Sequence, residues 1–106
     1  MTRVPLPDSF LRLPITHRAL HDRAAGRIEN SPAAIKAAVA AGYGIEIDLQ
    51  LSSDGVAMVF HDETLDRLTA EVGPVNARTA AELGQIALKG SSDTIPTLTE
   101  VLTLID

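Results

Sequence analysis

A chain of 106 residues has the length of one small domain. With 45% hydrophobic and 22% charged residues it is globular rather than disordered. A net charge of −5 argues against a nucleic acid or an anionic membrane bound by bulk electrostatics, and the lack of cysteine excludes disulfides, thiolate zinc sites and a cysteine nucleophile.

Aromatic residues make up only 3%, so the core must come from Ala, Val, Leu and Ile, which favours helices packed on β-branched strands. In the opening "MTRVPLPDSFLRLP", Pro, Asp or Arg interrupts every short apolar run, so no secretory leader fits there. No apolar run approaches the length of a membrane span. The expectation is a cytoplasmic protein with no membrane span and no nucleic-acid partner.

Residues 1–12 read as a lead-in arm, with Pro5 and Pro7 opposing regular structure. Residues 13–18, "LPITHR", form a short first strand, and 19–30 a loop of mixed charge that carries Gly26. Ser31 followed by Pro32 is a helix start, a hydroxyl cap and then proline at the first helical position. The alanine-rich run that follows ends at Gly42. Residues 45–51 alternate strictly and predict one continuous strand. "SSDG" at 52–55 is a turn, and 56–61 a second strand. "DETLDRLT" reads as an irregular helical turn and "EVGPVN" as a loop. Thr79 with Glu82 and Thr97 with Glu100 are capping boxes, opening helices over 80–87 and from 98 onward. The last helix reaches Asp106 with no cap and no following strand, as if cut. The order β, α, β, β, α, α predicts an α/β fold with a βαβ start and a parallel sheet.

Glu46 and Asp48 lie two apart on the predicted strand, so both project to one face, about 7 Å apart. Two readings stand at this point: a solvated face that Gln50 continues, or oxygen ligands gathered for Ca²⁺ or Mg²⁺. His61 ends one strand and His17-Arg18 another, and in parallel α/β folds such ends are where sites form. Histidine moves protons near neutral pH, and arginine holds phosphate with a planar fork of donors. Together these residues read as a phosphodiester site of two acid/base groups, one oxyanion clamp and one metal nest. Glu29 and Asn30, just before the first helix, either reach that site or help cap the helix, and a mixed role is expected for Glu29. Asp62 follows His61 on the opposite side of a strand and is expected to cap the next turn. His21, Asp22 and Arg23 read as solvated loop charges, with a pocket lining as the alternative, and Lys36 and Lys89 as surface charges. No G-x-S-x-G elbow supports a serine hydrolase.

In order, these motifs resemble the glycerophosphodiester phosphodiesterase family. The matching residues are His17-Arg18, Glu29-Asn30, Glu46 and Asp48, Asp54-Gly55, His61-Asp62, "LDRLT" at 65–69, "GPV" at 73–75 and "IPTLTEVL" at 95–102. The resemblance covers about 15–104. It implies the first part of a (β/α)₈ barrel over 13–106, with the site at the C-terminal strand ends. It implies cleavage of a small-molecule glycerophosphodiester to glycerol 3-phosphate and an alcohol, with a glycerol hydroxyl attacking phosphorus through a cyclic phosphate. His17 and His61 would serve as general acid and base, Arg18 would bind the phosphate, and Glu46 and Asp48 would hold a divalent cation, Ca²⁺ or Mg²⁺. Two departures stand out. The family usually has glycine where this chain has Ala19, whose methyl is expected to narrow the loop's approach to phosphate. A complete barrel takes about 250 residues, and the family's third acidic ligand and a substrate-binding lysine come from later strands. An open partial barrel is therefore expected to form a homo-oligomer or to pack on further chain. A non-catalytic interaction module and a phosphodiesterase acting on a phosphoinositide or sphingolipid are the alternative readings.

Overall fold

The computed structural model describes residues 14–106, so the predicted arm and the start of the first predicted strand at Leu13 lie outside the described residues. Strand β1 (Ile15–Thr16) is followed by a loop containing a single 3-10 turn at Arg23–Ala25, and then by helix α1 (Pro32–Ala41). The predicted cap is present: the Ser31 hydroxyl accepts the Ala34 N–H, Pro32 takes the first turn, and Gly42 closes the helix with φ 73°. A second cap comes from far along the chain, where Asp93 accepts the Ala33 N–H at 3.0 Å. Strand β2 (Gly44–Ile45) then pairs parallel with β1, as the β-α-β order predicts.

The predicted continuous strand over 45–51 is broken. Residues 46–48 form no ladder, and β3 (Leu49–Leu51) pairs antiparallel with β4 (Ala57–Val59) as a separate hairpin. The cause is competition for the backbone groups in between. The Glu46 carbonyl accepts the Ala19 N–H of the first loop, and the Asp48 N–H goes to the side chain of Asn30. The expected apolar face splits with the strand. Ile45 and Ile47 pack against buried residues, whereas Leu49 and Leu51 are 49% and 60% exposed. Asp54 ties the hairpin turn to the next helix by accepting the Ala80 N–H at 2.9 Å. The Ser52 hydroxyl, and after it that N–H, hold its carboxyl below the usual carboxylate range.

Both capping boxes form. Helix α2 (Ala80–Leu83) is shorter than the predicted 80–87, because the chain tightens at Gly84 into two successive three-residue turns. Helix α3 (Leu98–Ile105) follows the second box. "DETLDRLT" gives turns rather than regular helix, and Val75–Ala77 forms a 3-10 turn within the predicted loop region. The core is in two parts. Met58 and Phe60 of the β4 segment join Ile28, Leu65, Leu83 and Ile95, while Val59 between them joins Ala19, Ile35 and Val101. Successive residues of an extended chain face opposite ways, so β4 is the shared wall of both clusters. The architecture is α/β, and no barrel closes among the described residues. No helix among them is long and apolar enough to cross a membrane.

Ala19 is only 2% exposed and has φ 65°, a left-handed conformation. Its methyl packs in the second core cluster, so the expected narrowing of the loop's outer side is replaced by a role in the core. Gly at this position would relieve about 1 kcal/mol of backbone strain but lose a buried methyl worth about 0.8 kcal/mol. Ala19→Gly is therefore expected to change stability by less than about 1 kcal/mol, and Ala19→Val, β-branched and overpacked, to cost about 3 kcal/mol. Urea denaturation of the two variants checks both values, and equal effects would contradict the strained, packed geometry.

Candidate active site

The site starts where β1 ends. Arg18 and Ala19 both take positive φ, 57° and 65°, which turns two N–H groups toward the segment after β2. Arg18 N–H donates to Glu46 Oε2 and Ala19 N–H to the Glu46 carbonyl, both at 3.1 Å. The Arg18 carbonyl accepts the N–H of Asn30 at 2.8 Å. Asn30, also left-handed at φ 58° and 1% exposed, clamps Asp48 at both ends of its amide. Its Nδ2 donates to Asp48 Oδ2 at 3.1 Å, and its Oδ1 accepts the Asp48 N–H at 3.3 Å.

The charged side chains form one continuous network. Arg18 Nη1 donates to Glu29 Oε2 at 3.0 Å. Arg67 grips Glu29 with two bonds of 2.7 and 3.0 Å and grips Asp62 with two more of 2.8 and 3.0 Å. Asp62 Oδ1 lies 2.6 Å from His61 Nδ1. A carboxylate only accepts, so His61 Nδ1 carries the proton in this contact, and in the neutral ring Nε2 has the lone pair. Gln50 Nε2 donates to the His61 carbonyl at 2.9 Å and fixes that backbone. His17 lies at the open edge, its side chain 71% exposed and its Nε2 3.9 Å from Glu46 Oε2. Arg18 Nε is buried and makes no hydrogen bond, with Asp48 Oδ2 3.8 Å away.

The network sets the charge states. Burial raises the pKa of Glu29, but hydrogen bonds and charge from Arg67 and Arg18 outweigh it and hold the carboxyl below the usual range. The Arg67 hydrogen bond, against some burial and helped by His61, lowers Asp62 to about 2. Glu29 and then Asp62 push the Arg67 guanidinium above its ordinary value.

All six residues singled out in the sequence as site candidates meet here: His17, Arg18, Glu29, Glu46 and Asp48 around the β1 end, and His61 through Asp62 and Arg67. Glu29 bonds to Arg18 and Arg67, while Ser31 and Asp93 accept the N–H groups at the start of α1. Asp62 does not point away from His61 to cap a turn. The strand ends at Val59, so the alternation rule no longer governs residues 61 and 62. Arg67 carried no role in the sequence reading, and only its place in "LDRLT" signalled it.

For a divalent cation, the available donors are the oxygens of Glu46 and Asp48. The second oxygen of each, Oε1 and Oδ1, accepts no hydrogen bond from the described residues. Hard oxygen donors suit Mg²⁺ and Ca²⁺, and Mg²⁺ is commonly held by one or two carboxylates plus water and substrate phosphate. No group of three or more His, Asp or Glu converges on one point among the described residues, so the fit is that of a two-carboxylate site.

A profile described as the Glycerophosphoryl diester phosphodiesterase family matches residues 17–106. The chain belongs to this family. A glycerophosphodiester phosphodiesterase of Caldanaerobacter subterraneus subsp. tengcongensis is 43% identical over 84 residues, 73% of this chain and 35% of that protein. One of Bacillus altitudinis is 40% identical over 84 residues, with 73% and 34% coverage. A solved phosphodiesterase of Oleispira antarctica, in complex with the product sn-glycerol-3-phosphate, superimposes with a TM-score of 0.76 at 33% identity, over 92% of this chain and 42% of that one. A glycerophosphodiester phosphodiesterase of Thermotoga maritima gives 0.72 at 32% identity, over 90% and 40%. The chain thus spans about a third of the curated family members it matches.

Asp62 is stabilised as a carboxylate, so its contribution is complete above the ordinary carboxylate pKa and lost as pH falls toward about 2. Arg67→Ala is expected to cost about 1 kcal/mol at pH 7, a modest value because solvent reaches the pair. The gap from the parent chain should hold down to about pH 5 and close between about pH 4 and 2. Urea midpoints measured across that range check it, and a gap independent of pH would refute the linkage. Asn30→Asp faces one carboxylate with another in a buried position and is expected to cost about 3 kcal/mol near pH 7 and less in acid. Thermal melts at pH 7 and 4 test that ordering.

Proposed function

We propose that the chain carries the first βα units of a (β/α)₈ glycerophosphodiester phosphodiesterase and the half of its active site that receives the phosphodiester. The observation that carries this reading is the buried Nε of Arg18, a charged donor with no hydrogen-bond partner among the described residues, 3.8 Å from an Asp48 carboxylate oxygen. A buried unpaired donor costs about 1–3 kcal/mol, which a bound phosphate oxygen would recover. The likeness to solved phosphodiesterases above 30% identity supports the same chemistry.

In this reading Arg18 orients the phosphate and offsets charge on its oxygens in the transition state. His61, its Nδ1 proton held by Asp62, takes a proton on Nε2 from the attacking hydroxyl. The exposed His17 gives a proton to the departing alcohol oxygen. Attack by the glycerol hydroxyl leaves a cyclic phosphate, which water opens with the two histidine roles reversed, so the products are glycerol 3-phosphate and a free alcohol. Glu46 and Asp48 would hold Ca²⁺ or Mg²⁺, which when bound supplies Lewis-acid stabilisation of phosphate charge. Glu29 keeps the Arg18 and Arg67 side chains extended beside the site. The exposed Ile15, Leu49 and Leu51 favour a working form in which that apolar surface is covered, by a second copy or by further barrel.

Cleavage of glycerophosphocholine with Ca²⁺ or Mg²⁺, against a chelated control, tests the reading. Metal-dependent release of glycerol 3-phosphate is the expected result where the site is complete, and His17→Ala and His61→Ala should each lower it by about 100-fold or more with melting unchanged. A full rate in either variant removes that residue from its role. A folded chain that neither cleaves the diester nor binds glycerol 3-phosphate would overturn the assignment.

A further inference from the structure

Four of the nine Lys and Arg residues in this chain of net charge −5 line one hollow of about 200 Å³. Arg23, Arg27, Arg67 and Lys89 form its walls, and Ile28 and Leu68, 5% and 7% exposed, also line it. His21 and Glu29 complete the lining. Glu29 and Arg67 also belong to the network of the candidate active site, so the hollow adjoins that site across the Glu29–Arg67 pair.

The charges do not cancel. Arg67 is spent on Glu29 and Asp62, and Glu29 is already shared with Arg18. Arg27 donates from Nε to the Leu20 carbonyl at 3.2 Å, and its Nη2 lies a loose 3.8 Å from Asp22. Asp22 is also engaged in capping, accepting the N–H groups of Ala24 and Ala25. Among the described residues, Lys89 Nζ donates only to the Asp66 carbonyl, at 3.3 Å. Arg23 has no side-chain hydrogen bond or ion pair among the described residues. Among the described residues, Arg23 and Lys89, and in part Arg27, therefore line a small concavity whose one carboxylate, Glu29, is already shared between Arg18 and Arg67. Guanidinium forks with an ammonium group recognise phosphate or carboxylate, and a hollow of about 200 Å³ leaves room for a short carbon body.

We propose that this hollow is an anion subsite that takes a phosphate or carboxylate group carried on a small organic body. The group comes either from the alcohol portion of the diester, a source that rests on the phosphodiesterase reading, or from a free anion. Inorganic phosphate is titrated into the ¹⁵N-labelled full chain under chelation and constant ionic strength, with the backbone amides followed by NMR. Saturable shifts at Arg23, Arg27 and Lys89 are expected. They should vanish in an Arg23→Glu/Lys89→Glu double variant, both residues being exposed, while the circular dichroism and any shift near Arg18 persist. Hollow amides that stay still, or that move equally in the double variant, overturn the subsite. Signals near Arg18 report separately: movement there alone leaves the phosphodiesterase reading standing without the subsite, and movement at the hollow alone does the reverse. Glycerophosphoserine and glycerophosphoethanolamine, which differ by one carboxylate, separate the sources. Binding about five-fold tighter for the serine diester, lost in the double variant, assigns the alcohol portion. Equal binding of the two diesters, with phosphate still seated, assigns a free anion.

Discussion

Glu29 is a carboxylate with a tenth of its side chain exposed, held between the guanidinium groups of Arg18 and Arg67. Taking that charge out of water is costly unless it is paired, and here two cations from separate segments of the chain share the pairing. Glu29 itself is positioned by its neighbours. Asn30 adopts a left-handed turn, and Ser31 and Pro32 start α1 immediately after it. The helix start therefore fixes the carboxylate, and the carboxylate fixes two arginines. One of these sits at the end of β1 and the other beyond the hairpin, so a local cap determines how two distant segments face each other.

The hairpin contributes in a different way. Met58 and Phe60 pack into one core cluster and Val59 into the other. A strand buried on both sides has little freedom to shift, since any movement opens a void on one side and crowds the other. His61 follows directly after this wall, and Gln50 on the neighbouring strand ties down its carbonyl. The histidine that Asp62 orients is thus carried by one of the better-restrained backbone segments in the molecule.

The parts legible from sequence were those decided within a few residues. Ser31-Pro32, Gly42 and the boxes at Thr79 and Thr97 involve partners three or four positions away, and all form as read. Alternation over 45–51 does not yield one strand, because it reports which side chains are apolar, not which backbone partner is available. The side chain of Asn30, 18 positions earlier, takes the Asp48 N–H that a strand neighbour would have used. Arg67 stood in a polar irregular stretch with no periodicity, and its purpose shows only in its bond to Glu29, 38 positions away. The extra turns of α2 were lost at Gly84, where intrinsic cost outweighs a favourable start. The candidate residues stand out in the sequence because their types are chemically unusual at strand ends, while the contacts that join them leave no mark there.

The bond from Ala33 to Asp93 crosses 60 positions and completes the first turn of the first helix. The pairings of Arg18 with Glu46 and Arg67 with Glu29 cross 28 and 38. Contacts of such separation close large loops before they return any energy, so they form late as a chain collapses. During synthesis α1 emerges early, but its first turn and the carboxylate beside it lack their partners until residues 67 and 93 have followed. The Glu29 carboxylate and its two arginines are therefore joined only once the chain has grown past residue 67, so they cannot seed the segment that carries them.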